Sequence, residues 1–306
     1  MQTDSPPADN ENTARGPRAS VLTLVRDRQA HLDALVAGLA RQTCGNFEFI
    51  VASMQPTPPA LPERLPFPVS VVEVPGKRLP LAAARNAAAA RARAELMIFL
   101  DVDCIPSPPL VESFTAQLKA SGRCLLGEVR YLPGTLTRTS ITRASFSELQ
   151  NHAQKHPARA PAPGCGWVKE PETRALWGLS FALTRHQYWK AGGMDERYRG
   201  YGGEETDFAE RLKASGTLLG WCSNALALHQ YHPVHTPPLD KFTDIISNAR
   251  RFHRTWGSWC MEYWLEYFTA WGLIEWSPAA AGIRIIRRPT NAEVHACQQP
   301  PEVAFA

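Results

Sequence analysis

The chain has 306 residues, 44% of them hydrophobic, and a formal net charge of +4. That suffices for one large α/β domain with appendages, and the charge is too small to suggest general nucleic-acid binding. Seven cysteines without a C-x-x-C pair argue against a disulfide framework or a zinc knuckle and fit reduced thiols in a cytosol.

Residues 1–18 are polar and proline-containing, with no apolar core for a signal peptide, and are expected to be disordered. No window is apolar for long enough to span a membrane, so a soluble, cytoplasmic protein is expected, with peripheral contact at the inner membrane surface left open. SVLTLV, from Ser20, reads as a buried strand. The stretch after it sets Leu32, Leu35, Val36, Leu39 and Ala40 at helical spacing. FEFIVA (Phe47 to Ala52) and VSVVEV (Val69 to Val74) read as strands on either side of a proline-rich connection. The alanine-rich LPLAAARNAAAARARAE predicts a helix leading into LMIFLDVDCIP, Leu96 to Pro106. Alternating strand and helix implies a parallel, doubly wound sheet.

LMIFLDVDCIP organises the rest. An apolar strand delivers Asp101 and Asp103 into the crevice beyond the carboxyl edge of a sheet, where open α/β folds bind ligands. Two carboxylates there suit a hard cation such as Mg²⁺ or Mn²⁺ together with substrate phosphates. The same residues also serve simply to end a strand and start a turn. Ser107, Pro108 and Pro109 predict a helix start with serine as cap, the helix running to about Ala120 and leading to the strand RCLLGEVRYL. Residues 133–173, rich in Pro, Gly and Ala, read as a mobile loop or lid.

From Ala175 onward the pattern predicts a short strand, a helix from Thr184 to about Lys190, a glycine turn, and a helix opened by Glu204, Glu205 and Asp207. Acids in a first turn suit the helix macrodipole. Gly202 and Gly203 before them add close backbone approach to a ligand. His229, His232 and His235 are spaced by three, but Pro233 and Pro237 argue against one helical face. In the tail, Trp256, Trp259, Tyr263, Trp264, Tyr267, Phe268 and Trp271 read as one helical aromatic stripe. Two readings of it stand: a helix packed over the preceding domain, or an acceptor groove or membrane-interface contact aided by Arg284, Arg287 and Arg288.

In their order these pieces resemble the GT-A-fold glycosyltransferases, family 2-like at the front, through SVLTLVRDRQAHLDALVAGLARQT and LAAARNAAAARARAELMIFLDVDCIP. The back half, WG before FALTRHQYWKAGGMDERYRGYGGEETDFAERL and then a histidine, is similar to the β-1,4-galactosyltransferases and polypeptide N-acetylgalactosaminyltransferases. The resemblance spans residues 20 to 236. It implies an α/β, Rossmann-like GT-A domain over residues 19–236, a three-layer α/β/α sandwich, with residues 237–306 as a helical C-terminal extension. It further implies a metal-dependent, inverting hexosyltransferase using Mn²⁺ or Mg²⁺ and a nucleotide-sugar donor, UDP-linked by the same resemblance.

By that resemblance Asp103 and His229 would be metal ligands, with Asp101 on the ribose side or in the next layer and His232 in reserve. Glu205 would be the base that takes the proton of the acceptor hydroxyl. Asp27, Arg85 and Asn86 would contact nucleotide, Trp177 and Gly178 the sugar, and Gly203, Glu204 and Asp207 would serve donor and acceptor. Ala52 and Ser53 replace the base-reading aspartate of many family 2 enzymes, and Thr206 interrupts the acid run, so that Glu204 and Asp207 stay open as the base. Polysaccharide, lipid-linked glycan, peptide and small-molecule acceptors all remain open. The rivals are a non-catalytic nucleotide- or carbohydrate-binding relative and a metal-dependent nucleotidyltransferase.

Overall fold

A computed structural model describes residues 16–76, 78–159 and 162–304. The first strands are mostly apolar because both of their faces are covered. β1 (Ala19–Val25), β2 (Phe47–Ser53) and β4 (Leu96–Leu100) are buried along their whole lengths. Such strands are expected where helices cover both sides of a parallel sheet. β1 pairs in parallel with β2 and with β4, and β3 (Val69–Glu73) pairs in parallel with β2. On one face lie α1 (Gln29–Leu39) and, further on, α3 (Leu110–Ser121), which supply Leu32, Leu35, Phe114 and Leu118 to one core. On the other lies α2 (Leu81–Arg91), whose Ala82, Ala84, Ala88 and Ala89 allow close helix-to-sheet packing.

The sheet is mixed, which corrects the all-parallel expectation. Its order is β3-β2-β1-β4-β9-β6-β10-β5, where β5 is Cys104–Pro106, β6 Cys124–Tyr131, β9 Ser180–Thr184 and β10 Leu219–His229. β9 runs antiparallel between β4 and β6, and β5 antiparallel to β10. α6 (Arg185–Lys190), opened by a Thr184–Gln187 capping box, and α7 (Glu204–Ala214) complete the α2 face. A three-layer α/β/α sandwich results. Ser107 does not cap α3; its hydroxyl reaches Asn224 O, and Pro109 precedes the first turn.

Residues 133–173 contain more than a loop. α4 (Arg138–Arg143) is capped by Thr137, α5 (Phe146–His152) by a Ser145–Glu148 capping box, and β7 (Gln154–Lys155) and β8 (Trp167–Glu170) join the sheet. Ile141 and Leu149 are buried with Ala34 and Leu228, so these helices pack on α1 and β10.

The C-terminal segment has its own core, and its aromatic residues do not form one helix. α8 (Phe242–Trp256) ends at Gly257, whose φ of 70° closes the helix in the left-handed region. α9 (Glu262–Ala270) starts afresh after Trp259, followed by a hairpin, β11 (Ile274–Glu275) with β12 (Arg284–Ile285), and by α10 (Asn291–Ala296). Trp259 and Phe268 are buried, whereas Tyr263, Tyr267 and Trp271 are exposed. Among the described residues no helix is long and apolar enough to cross a membrane. The expectation of disorder for residues 1–18 lies almost wholly outside the described residues.

Candidate active site

At the carboxyl end of β4 the chain turns sharply. Cys104 N donates to Asp101 O (2.9 Å), and Asp101 N to Leu179 O (2.9 Å), so the acid corner is tied to the residue after Trp177–Gly178. Asp103 is then fixed from the far side by Gln230 N donating to its carbonyl (2.7 Å), which brings the end of β10 alongside. Asp103, His229 and His232 present ligand atoms within 4.8 Å of one another. His229 Nε2 and His232 Nε2 lie 3.9 and 3.6 Å from Asp103 Oδ2. His235 stands apart, paired with Asp240.

This cluster has the chemistry of a cation site. Asp103 Oδ1 and His229 Nδ1 are buried without a hydrogen-bond partner, an expensive condition unless another group satisfies them. Burial, reinforced by the charge of Asp101 and opposed by Arg28, pushes the Asp103 carboxyl up to about 8. A cation against it would reverse that balance. Burial lowers His229 well below the usual histidine value, with His232 and Arg28 adding to it; burial and Arg28 lower His232. Both imidazoles are thus neutral lone-pair donors at pH 7. The residues fit a divalent metal held by one carboxylate and imidazole nitrogens. Asp101 is outside this set; its Oδ1 accepts from Val102 N (2.7 Å).

Three residues near the metal-side cluster escape sequence reasoning. Arg28, just before α1, forms an ion pair with Asp103, and His31 Nε2 lies 3.8 Å from Asp103 Oδ1. Burial, with Arg138 and Arg28, lowers His31 to about 4 against the opposing Tyr231 carbonyl. Arg138 of α4 donates to Gln230 Oε1 and contacts His31 (both 2.9 Å). The first two stand within four positions of Asp27, a local hint; Arg138, within the stretch expected as loop, has no such signal. Asp27 itself has φ 54°, donates its N–H to Gln55 Oε1 and leaves its side chain open to solvent.

The acid run at α7 divides by role. Gly202 and Gly203 have φ of 87° and 89°, a conformation glycine adopts without strain, and they turn the chain so that α7 begins at Glu204. Glu204 is buried; burial and Glu205 push it up to about 8 against the pull of Arg85, and its Oε2 has no hydrogen-bond partner. Glu205 is the open one, with its side chain 24% exposed and Oε1 2.9 Å from Arg85 Nη2. Arg85, itself buried, also reaches Glu204 Oε1 at 3.3 Å.

Three residues expected to contact ligand spend polar atoms or a ring face on the protein. Asp207 is fully buried, taking hydrogen bonds from Trp256 Nε1 (2.9 Å), Arg211 Nε (2.6 Å) and Tyr198 OH (3.4 Å); it anchors α8 and cannot touch donor or acceptor. Asn86 spends its amide on Met194 N and O, Glu196 and Tyr188 OH, which leaves nothing for a nucleotide. Trp177 has the Arg159 guanidinium 3.2 Å above its ring and His156 against its edge. The cavity there, shared with Tyr131 and Trp221, holds about 20 Å³, room for a water.

The fold and these two clusters define a GT-A glycosyltransferase architecture. Residues 20–174 match glycosyl transferase family 2, and the chain belongs to that family. Residues 167–235 match the family described as the N-terminal domain of galactosyltransferase. A validoxylamine A glucosyltransferase of Streptomyces hygroscopicus subsp. limoneus is 28% identical over 235 residues, covering 67% of this chain and 49% of that protein. The chain therefore spans about half the length of the curated relatives it matches. Among solved structures, S. aureus TarS 1-349 in complex with UDP-GlcNAc aligns with TM-score 0.51 at 12% identity, over 70% of this chain and 59% of that one. GalNAc-T7 with UDP, GalNAc and Mn²⁺ aligns with TM-score 0.50 at 14% identity, over 84% and 57%. At such identities the likeness shows the fold.

Proposed function

We propose that this glycosyltransferase moves a hexose or N-acetylhexosamine, with inversion, from a UDP-sugar to an acceptor hydroxyl, with a divalent metal at Asp103, His229 and His232. The observation that carries this reading is the metal-side cluster: three ligands converging on one point, two of their buried polar atoms unsatisfied. Neighbours solved with UDP-GlcNAc and with UDP, GalNAc and Mn²⁺ support the donor and the cation. The match to a glucosyltransferase supports a hexose.

In this mechanism Asp103, His229 and His232 would hold the cation, which when bound would supply Lewis-acid stabilisation of the departing diphosphate. Asp101 and Asp27 stand on the nucleotide side. Glu205 takes the proton of the acceptor hydroxyl as its oxygen attacks the anomeric carbon opposite the diphosphate. Arg85 orients the Glu205 carboxylate, and Glu204, buried behind it, holds Arg85. Gly178 leaves the space that this pair fills. The protein acts in the cytoplasm, with the exposed aromatic residues and Arg288 of the extension available for contact with the inner membrane surface.

The test is calorimetric titration with UDP, with and without Mn²⁺, on the parent protein and on Asp103→Ala. Micromolar binding, on the order of 8 kcal/mol, that needs both the metal and Asp103 is expected. Binding indifferent to both overturns the metal assignment. Release of UDP, instead of UMP, from the donor separates sugar transfer from nucleotidyl transfer.

A further inference from the structure

The turn that delivers Glu204 and Glu205 does not hold its own shape. Gly200, Gly202 and Gly203 have φ of 75°, 87° and 89°, and Gly203, the residue before α7, has no side chain with which to cap the helix. Glycine loses more backbone freedom on folding than any other residue. A turn with three glycines in four positions therefore takes its form from groups outside it. Those groups stand on the C-terminal extension. Asp244, Asn248, Phe252 and Trp256 of α8 recur at every fourth position and so share one face of the helix. Phe252 is buried in the core of the extension, and the other three reach the acid segment.

Asn248, 2% exposed, donates its amide to the carbonyls of Arg199, Tyr201 and Gly202 at 3.1, 3.2 and 2.8 Å. Such a buried set holds one arrangement, because leaving any of its groups unpaired is costly. Asp244 accepts from Tyr201 N (3.3 Å) and fills the space beside Gly200, where a Cβ would overlap its carboxylate. Trp256 Nε1 donates to Asp207 Oδ1 (2.9 Å). Glu205 thus lies between two anchors, Gly202 before it and Asp207 after it. The same face of α8 also fixes the other half of the Glu205–Arg85 pair. The segment entering α2, which carries Arg85, is tied to the turn by Gly200 N donating to Leu79 O (2.9 Å) and by the ion pair of Arg78 with Asp244. Arg85 Nη2 and Glu205 Oε1, 2.9 Å apart on segments 120 positions distant, are set against each other by this helix.

We infer that Asn248 is a positioning residue for Glu205, and that the C-terminal extension belongs to the transfer machinery through α8. Asn248, closed off from solvent, acts on the reaction through the backbone that it holds. The inference rests on the proposed assignment of Glu205 as base and goes beyond it by naming what keeps that base in place.

Turnover per UDP-binding site, measured on the full chain with Mn²⁺, tests it. Calorimetry with UDP counts the sites and gives their affinity. UDP release from UDP-glucose, UDP-galactose and UDP-N-acetylglucosamine, with water as acceptor, gives the turnover. Asn248→Leu keeps a branched side chain and removes the donors; Trp256→Phe removes the N–H of the second anchor and is the milder change. Asn248→Leu decides where it binds UDP, and Trp256→Phe decides where it does not. Turnover per site should fall by at least about tenfold in Asn248→Leu, since small displacements of a reacting group are costly, and in the same direction in Trp256→Phe. UDP affinity should stay within about twofold of the parent's. A merely structural role lowers the number of UDP-binding sites and leaves turnover per site unchanged, and that result overturns the inference. So does failure of both variants to bind UDP, which makes α8 a support of the donor site. Glu205→Gln in the same assay separates the two readings. A slow Glu205→Gln beside parental turnover per site in the deciding variant sinks this inference alone. Parental turnover in Glu205→Gln, or a parent that neither binds nor releases UDP, sinks the reading of the site and this inference with it, as does a parent that binds UDP and releases none from any of the three donors.

Discussion

Arg85 occupies the space in which a side chain of residue 178 would stand: a Cβ at Gly178 would overlap Arg85 Nη2, and equally Glu205 Oε1. The salt bridge between the arginine and the proposed base therefore depends on a glycine on a different segment. Gly178→Ala should lower turnover by about 10²-fold through displacement of Glu205, with UDP affinity retained. Steady-state kinetics beside calorimetry check it, and unchanged kcat would free Glu205 from this geometry.

The two neighbouring glutamates should respond differently. Glu205→Gln removes the proton acceptor and is expected to lower kcat by roughly 10² to 10⁴, with little change in donor binding. Glu204→Gln replaces a buried carboxyl, whose pKa burial raises to about 8, by its neutral isostere, so folding should be nearly preserved. Parental turnover in Glu205→Gln would move the base elsewhere.

Arg85→Met leaves Glu204 buried beside Glu205 with no cation between them. Where Glu204 is ionised, above about pH 8, removing one partner of a buried pair costs about 3–5 kcal/mol, so denaturant unfolding there should show a loss of that order, and Glu204→Gln in the same chain should recover part of it. A loss under about 1 kcal/mol would mean that Glu204 is already neutral in the parent at the assay pH.

Glu48 supplies a pH dependence of stability away from the site. Burial raises its pKa, but hydrogen bonds from Ser20 and from Arg93 N and Nε outweigh burial and bring it below the usual 4.5. A folded value below the unfolded one stabilises the protein above about pH 4.5, and that contribution is lost as pH falls through the folded value. The melting temperature of Glu48→Gln should therefore fall less than the parent's between about pH 5 and about pH 3. Parallel curves would refute the linkage.

Leu149→Ala tests whether residues 133–173 belong to the folded core. Leu149 is 4% exposed, packed with Ile141 and Leu228. Truncation should cost about 2–5 kcal/mol, whereas an independent loop would lose almost nothing. Urea denaturation with a single transition measures it.

The alternation of strand and helix in the first half, the acid corner at Asp101 and Asp103 and the helix start at Glu204 were legible in the sequence, because each rests on neighbours a few residues apart. An apolar run buried on both faces, a carboxylate at its end and glycines before a helix are local signals, whereas the approach of Asp103 to His229 and of Glu205 to Arg85 joins distant segments. The aromatic stripe failed because Gly257, a local signal too, ends the helix within it. Asn86, Asp207 and Trp177 were legible only as residue types. Whether such groups face a ligand or the fold depends on partners far along the chain: Met194 for Asn86, Trp256 for Asp207, Arg159 for Trp177. The sequence by itself determined which chemical groups are present and which ends of strands and helices carry them. Tertiary structure decided which of those groups spend their hydrogen bonds and ring faces on the protein, and which keep them for a ligand, because a side chain's capacity is finite and distant segments compete for it.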